Sequence, residues 1–125
     1  MSYLTKSVEN LTVAQWAYDN GHYNASANRA YYAVFQAALA ALANVSVITS
    51  EERVSHERAQ ALFARELITR RKLYSSDFKS HLLTLQTVRE LADYKPMLVS
   101  SNVASRQLKK AKEFVHAVSA KLTTF

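Results

Sequence analysis

Arg89 is the side chain of this sequence that packing alone explains least. In the stretch ending at Tyr94, Phe78, Leu82, Leu85 and Ala92 share one helical face, and Arg89 falls inside it. Asp93 follows one turn later on the same edge. A guanidinium on an apolar face is costly unless paired. Spacing allows two readings: an Arg89–Asp93 pair that snorkels to solvent, or an arginine lining a cleft, its planar donor fork turned to an anion. His56 lies on the apolar side of another helix, as a hydrogen-bonded core residue or as a proton-transfer group. A third group is Arg65, Arg70, Arg71, Lys72 and Lys79 with Tyr74 among them. It is either an exposed corner or a track for phosphates with an aromatic ring for stacking.

Other chemistries lack their residues. With no Cys there is no thiol catalysis, disulfide or Cys-type zinc site. His22, His81 and His116 have no ligand spacing, and no His-Glu-x-x-His, Gly-rich loop or nucleophile elbow is present. No metal site and no cofactor are expected.

These residues must be positioned by helices. The chain has 125 residues, one domain's worth, with a single Gly and a single Pro, which leaves few turns and no room for a many-stranded sheet. The class is all-α, one domain over residues 1–125. The central element is Ser26–Leu42, seven of whose residues are Ala. Tyr31, Val34, Phe35, Ala38, Leu39 and Leu42 form its broad apolar arc, and Arg29, Ala33, Gln36 and Ala40 a polar seam where a second backbone can come close. Before it, a helix from about Tyr3 to Asn20 shows Leu4, Val8, Leu11, Ala14 and Tyr18, and Gly21 closes the hairpin. Thr49 and Glu52 have capping-box spacing for a third helix. Ser76 or Asp77 can cap the fourth, which Lys95-Pro96 stops. The fifth repeats Ala104, Leu108, Ala111, Val115, Val118 and Leu122. Leu83, Leu91 and Tyr94 make a second apolar stripe on the fourth helix, which points to a neighbouring subunit.

The net charge is +6, all of it in residues 51–125. That half would attract RNA or a nucleotide, or is simply a solvated basic surface. No apolar run approaches the ~20 residues that span a bilayer. The opening MSYLTKSVENLT has no secretory pattern, so a cytoplasmic protein with no membrane partner is expected.

The runs NRAYYAVFQAALAAL, SHERAQALFARELI, VRELADYKP and the A-x-x-F-V segment Ala111–Val115 together resemble the HEPN domain family, in its small stand-alone prokaryotic branch. The likeness covers nearly the whole chain in order. It implies an up-and-down four-helix bundle with a short additional helix, assembled as a homodimer. It also implies a minimal nucleotidyltransferase as protein partner, in a toxin–antitoxin-type pair. Many members are metal-independent endoribonucleases whose motif is an Arg followed after four to six residues by a His. Arg89 matches that Arg, whereas the three allowed His positions hold Tyr94, Lys95 and Pro96. Gln36 stands where relatives commonly carry a His.

The reading is a homodimeric bundle that binds a nucleotide or RNA at an Arg89-centred cleft. Arg89 contacts phosphate, Asp93 orients it, Tyr94 and His56 line the site, and Arg29 supports it. Arg70, Arg71 and Lys72 are further nucleotide- or RNA-binding candidates, and Tyr94 a hydroxyl that a partner could nucleotidylate. One alternative is an endoribonuclease toxin with a non-standard site, Arg89 stabilising the phosphorane and His56 or Tyr94 moving the proton; whether the protein is an enzyme stays open. The other is a structural helical adaptor.

Overall fold

The computed structural model describes residues 3–94 and 98–122. They form α1 (Tyr3–Asp19), α2 (Tyr23–Asn44), α3 (His56–Leu62), α4 (Asp77–Tyr94) and α5 (Ser101–Leu122), and α3 continues directly as a π-helical segment, Phe63–Arg70. There is no strand among the described residues. The expected all-α bundle is what forms.

α2 is the axis, packed by α1, α4, α5 and α3. Its alanines from Ala27 to Ala41 are buried on every side, together with Tyr31, Val34, Phe35, Leu39 and Leu42. Small residues let the helices close in. Ser7 Oγ donates to the Ala33 carbonyl at 2.6 Å, and Ser26 Oγ to the Ala14 carbonyl at 2.8 Å. This close approach overturns part of the face expected for α1. Ser7 and Ala14 point inward, while Val8 is turned out and 46% exposed, because a β-branched side chain in the seam would hold the helices apart. Gly21, at φ +77°, closes the hairpin. The His22 amide donates back to the Ala17 carbonyl at 2.7 Å and the Gly21 amide to Tyr18 at 3.1 Å, a Schellman closure.

The start of α3 also differs from expectation. The Glu52 carboxylate does accept the Thr49 amide at 3.0 Å, but it is also held by Arg58 at 2.7 Å. Residues 49–51 only turn. The cap is Ser55, whose side chain accepts from the Arg58 amide. The following π segment ends at Arg70, two residues before Lys72, which takes a left-handed φ of 54°. Here Phe63, Tyr74, Phe78 and Phe114 form a ring cluster, with Phe63 5.2 Å from Tyr74 and 5.1 Å from Phe114. The expected α5 repeat is buried from Ala104 to Val118, with Phe114 and Gln107 added to it. The Lys95-Pro96 stop lies outside the described residues, directly after the last residue of α4. No helix among the described residues is long and apolar enough to cross a membrane.

Candidate functional site

α2 places Asn28, Arg29, Tyr31 and Tyr32 within little more than one turn, facing α4 and the start of α3. Against them α4 delivers Arg89 and Asp93, α3 delivers His56 and Gln60, and α1 contributes Asn10 from the other side.

The Arg89 side chain is only 11% exposed, so it does not snorkel. Its guanidinium carbon lies 5.1 Å from the Tyr31 ring centre and 5.6 Å from that of Tyr32, over two electron-rich faces. Nη1 is 3.5 Å from the Tyr32 hydroxyl and 3.5 Å from Asp93 Oδ2, both long for strong hydrogen bonds. Nε is buried with no hydrogen-bond partner.

Asp93 is occupied elsewhere. Asn28 Nδ2 donates to both of its carboxylate oxygens, at 3.1 and 3.0 Å. Asn28 Oδ1 in turn accepts from Arg29 Nε at 2.8 Å and Nη2 at 2.6 Å, and Arg29 Nη1 donates to Asn10 Oδ1 at 2.9 Å. A continuous polar chain, Asn10–Arg29–Asn28–Asp93, thus runs from α1 across α2 to α4. Arg29 also covers the Tyr32 ring at 4.8 Å. The chain fixes the carboxylate beside Arg89 and leaves the guanidinium with spare donors.

His56 sits on the other side of the tyrosines. Its ring stacks on Phe35 at 4.3 Å and on Tyr31 at 5.4 Å, and its Nδ1 is hydrogen-bonded to the Tyr31 hydroxyl. Burial pushes the Tyr31 phenol up to about 12, against the opposing pull of the Gln60 amide and the Arg89 charge. Burial, and then the Arg89 charge, lower His56 from its ordinary 6.5, with Glu57 opposing. A protonated phenol beside a neutral imidazole donates to Nδ1, leaving the ring proton on Nε2. His56 is therefore both a satisfied aromatic-cluster residue and a neutral base one ring away from a buried cation.

The other candidates fall differently. Tyr94 is 73% exposed and has no hydrogen bond or ring contact with the described residues. Arg70, Arg71 and Lys72 lie at the far end of the α3–π element, roughly 20 Å along its axis from His56 at about 1.5 Å per residue. There Arg70 and Arg65 pair with Glu66 at 2.9 and 3.2 Å, and Arg71 approaches it at 3.9 Å. Arg70 and then Arg65 hold the Glu66 carboxyl below its ordinary range. Tyr74, the ring expected to be free for stacking, is instead core, 9% exposed between Phe63 and Phe78. Gln36 keeps a buried Oε1 with no partner. No group of three His, Cys, Asp or Glu able to hold a metal occurs among the described residues.

Asn10, Asn28 and Tyr32 were not singled out by the sequence. The available signal was weak: Asn28 and Tyr32 are one turn apart beside Arg29, but their partners lie on other helices. A family model for the HEPN domain matches residues 1–121. No curated protein gives a significant match to the chain.

Proposed function

The chain belongs to the HEPN domain family, and we propose that it is a cytoplasmic, homodimeric nucleotide- or RNA-binding bundle acting with a nucleotidyltransferase-type partner in a toxin–antitoxin-type pair. The observation that carries the binding reading is the state of Arg89. A guanidinium whose side chain is 11% exposed, with an orphan Nε and a carboxylate neighbour already held by Asn28, has donors to spare in a place where they are strong. A phosphate oxygen satisfies such a group better than any neighbour it has. The exposed stripe of Leu83, Leu91 and Tyr94 on the same helix supports the homodimer. Exposed Tyr94, one residue after Asp93, is accessible to a nucleotidylating partner.

The test is equilibrium binding of single-stranded RNA oligonucleotides and of nucleotides to the purified protein, with Arg89→Ala beside it. Loss of binding in the variant supports the reading. Absence of binding in the wild type sinks it.

One observation favours the endoribonuclease as second reading: the His that the motif position lacks is present on α3, packed against the tyrosines under Arg89. In that reaction neutral His56, its Nδ1 released from the Tyr31 hydroxyl, takes the proton of a ribose 2′-hydroxyl, and the oxygen attacks the adjacent phosphorus. Arg89 stabilises the phosphorane, and the bond to the 5′-oxygen breaks. That oxygen leaves with the proton returned by the His56 imidazolium, giving a 2′,3′-cyclic phosphate and a 5′-hydroxyl end. Cleavage in EDTA that Arg89→Ala and His56→Ala both abolish would establish it.

A further inference from the structure

Between α3 with its π segment and α4 lies a groove of about 610 Å³, within the range of small-molecule sites. Along its middle the lining is apolar, with Ala61 and Ala64 presenting only methyl groups and Leu82 and Leu83 supplied by α4. Leu82 is buried, whereas Leu83 stands 59% exposed along one edge.

The two ends of the groove have opposite chemistry. One end carries Glu57 and Gln60. Gln60 donates through Nε2 to Gln86 Oε1, so its own carbonyl oxygen is left as an acceptor beside the Glu57 carboxylate. The Gln60 amide also acts on the Tyr31 phenol, so this is the end of the groove nearer the Arg89 site. The other end carries Arg65, Thr69 and Lys79. Arg65 spends Nε on Glu66 at 3.2 Å and keeps both Nη groups, and Lys79 has no carboxylate partner among the described residues. Glu57 and Arg65 are about two helical turns apart along the element.

We propose that this groove is a nucleobase subsite: it takes a nucleotide whose base bears an exocyclic amino group, with the amino edge on Glu57 and Gln60, the ring against Ala61, Ala64 and Leu83, and a phosphate on Lys79 and Arg65. A flat apolar body with a donor at one edge and an anion at the opposite end is complementary to both ends at once. A fatty acid lacks the donor, and an acidic peptide lacks the flat body. The inference rests on the nucleotide- or RNA-binding reading and adds to it which bases are taken.

Cytidine and uridine monophosphates are nearly equal in size and differ in presenting an amino group or a carbonyl at the same ring position, so they separate the two ends. Titration calorimetry of the full chain should show CMP binding about tenfold tighter than UMP, the scale of discrimination by a hydrogen-bonding site. Glu57→Gln should remove most of that preference, and Lys79→Ala should weaken both nucleotides alike. Ala61→Asp, at an exposed position of the groove outside the Leu83–Leu91–Tyr94 stripe, should weaken both at least as much. A parallel series with C-rich and U-rich single-stranded RNA distinguishes a free nucleotide from a base within a strand; the same preference in either form supports the subsite. Equal affinity for CMP and UMP, or RNA binding that depends on Arg89 but ignores Ala61→Asp and Glu57→Gln, overturns the subsite and leaves the parent reading standing. Absence of any Arg89-dependent binding removes both.

Discussion

Two aromatic clusters flank the layer between α2 and α4, and they are built to different ends. Around Phe63, Tyr74, Phe78 and Phe114 the rings pack chiefly on one another, with the His81 ring 5.4 Å from Phe78 and the Lys121 ammonium of an exposed residue 5.7 Å from Tyr74, and nearby arginines stay at the surface on Glu66. Around Tyr31, Tyr32, Phe35 and His56 the rings carry a hydroxyl–imidazole bond, and a guanidinium is laid across two of them. Both regions contain arginine, and the denser concentration of it is at the first. Charge density therefore does not mark a site. A cation that has lost its water and has not been given a dedicated counter-ion does.

The sharpest way to break this contrast is to cut into each cluster. Phe63 is fully buried. Phe63→Ala should cost about 3–5 kcal/mol of stability by urea unfolding, with any loss of ligand binding tracking the loss of folded protein. Arg89→Ala should do the reverse. Oligonucleotide affinity should fall by about 1.5–3 kcal/mol, the worth of hydrogen bonds from a charged group, while stability changes by less than about 1 kcal/mol because Asp93 remains held by Asn28. Arg70→Ala, at the other cluster, should alter affinity by less than about threefold, since that side chain is exposed and engaged with a carboxylate. Equal effects of Arg89→Ala and Arg70→Ala would erase the distinction.

A fourth prediction concerns pH. Because the folded state lowers the pKa of His56 below 6.5, the unfolded chain takes up that proton first as pH falls. The contribution of His56 to stability is thus intact above 6.5 and lost as pH drops through the lowered native value. Unfolding midpoints of wild type and His56→Gln compared between pH 7.5 and 5 should show a shallower acid decline in the variant. The smallest effect is expected at the tip of the Phe63 cluster. Lys72 holds a left-handed φ of 54° without being glycine, so Lys72→Gly should stabilise by roughly 0.5–1 kcal/mol in thermal unfolding, leaving the Arg89 region unchanged.

The helices were legible in the sequence because their signals are periodic and local. The α5 repeat from Ala104 to Val118 and the Tyr31–Leu42 arc are buried as spacing demanded. Ser7 escaped notice because its inward position is set by backbone approach, not by hydrophobicity. The π segment escaped because nothing in FARELITR departs from an ordinary amphipathic helix. At the site, Arg89 stood out by being polar in an apolar row, and Asp93 by lying one turn on. Asn28 did not, because its meaning is a hydrogen bond to a residue sixty-five positions away. Tyr74 misled because a tyrosine among basic residues reads the same whether its ring faces water or Phe63.

The polar chain from Asn10 to Asp93 also sets an order in time. Asn10, Arg29 and Asn28 belong to the α1–α2 hairpin, whose contacts are close in sequence and among the fastest kinds to form. Asp93 and Arg89 arrive only when α4 docks, after the loop, α3 and the π segment have been placed. Half of the Arg89 environment is thus assembled early and waits for its cation, so a chain still emerging from the ribosome short of α4 would possess the cradle and nothing to put in it.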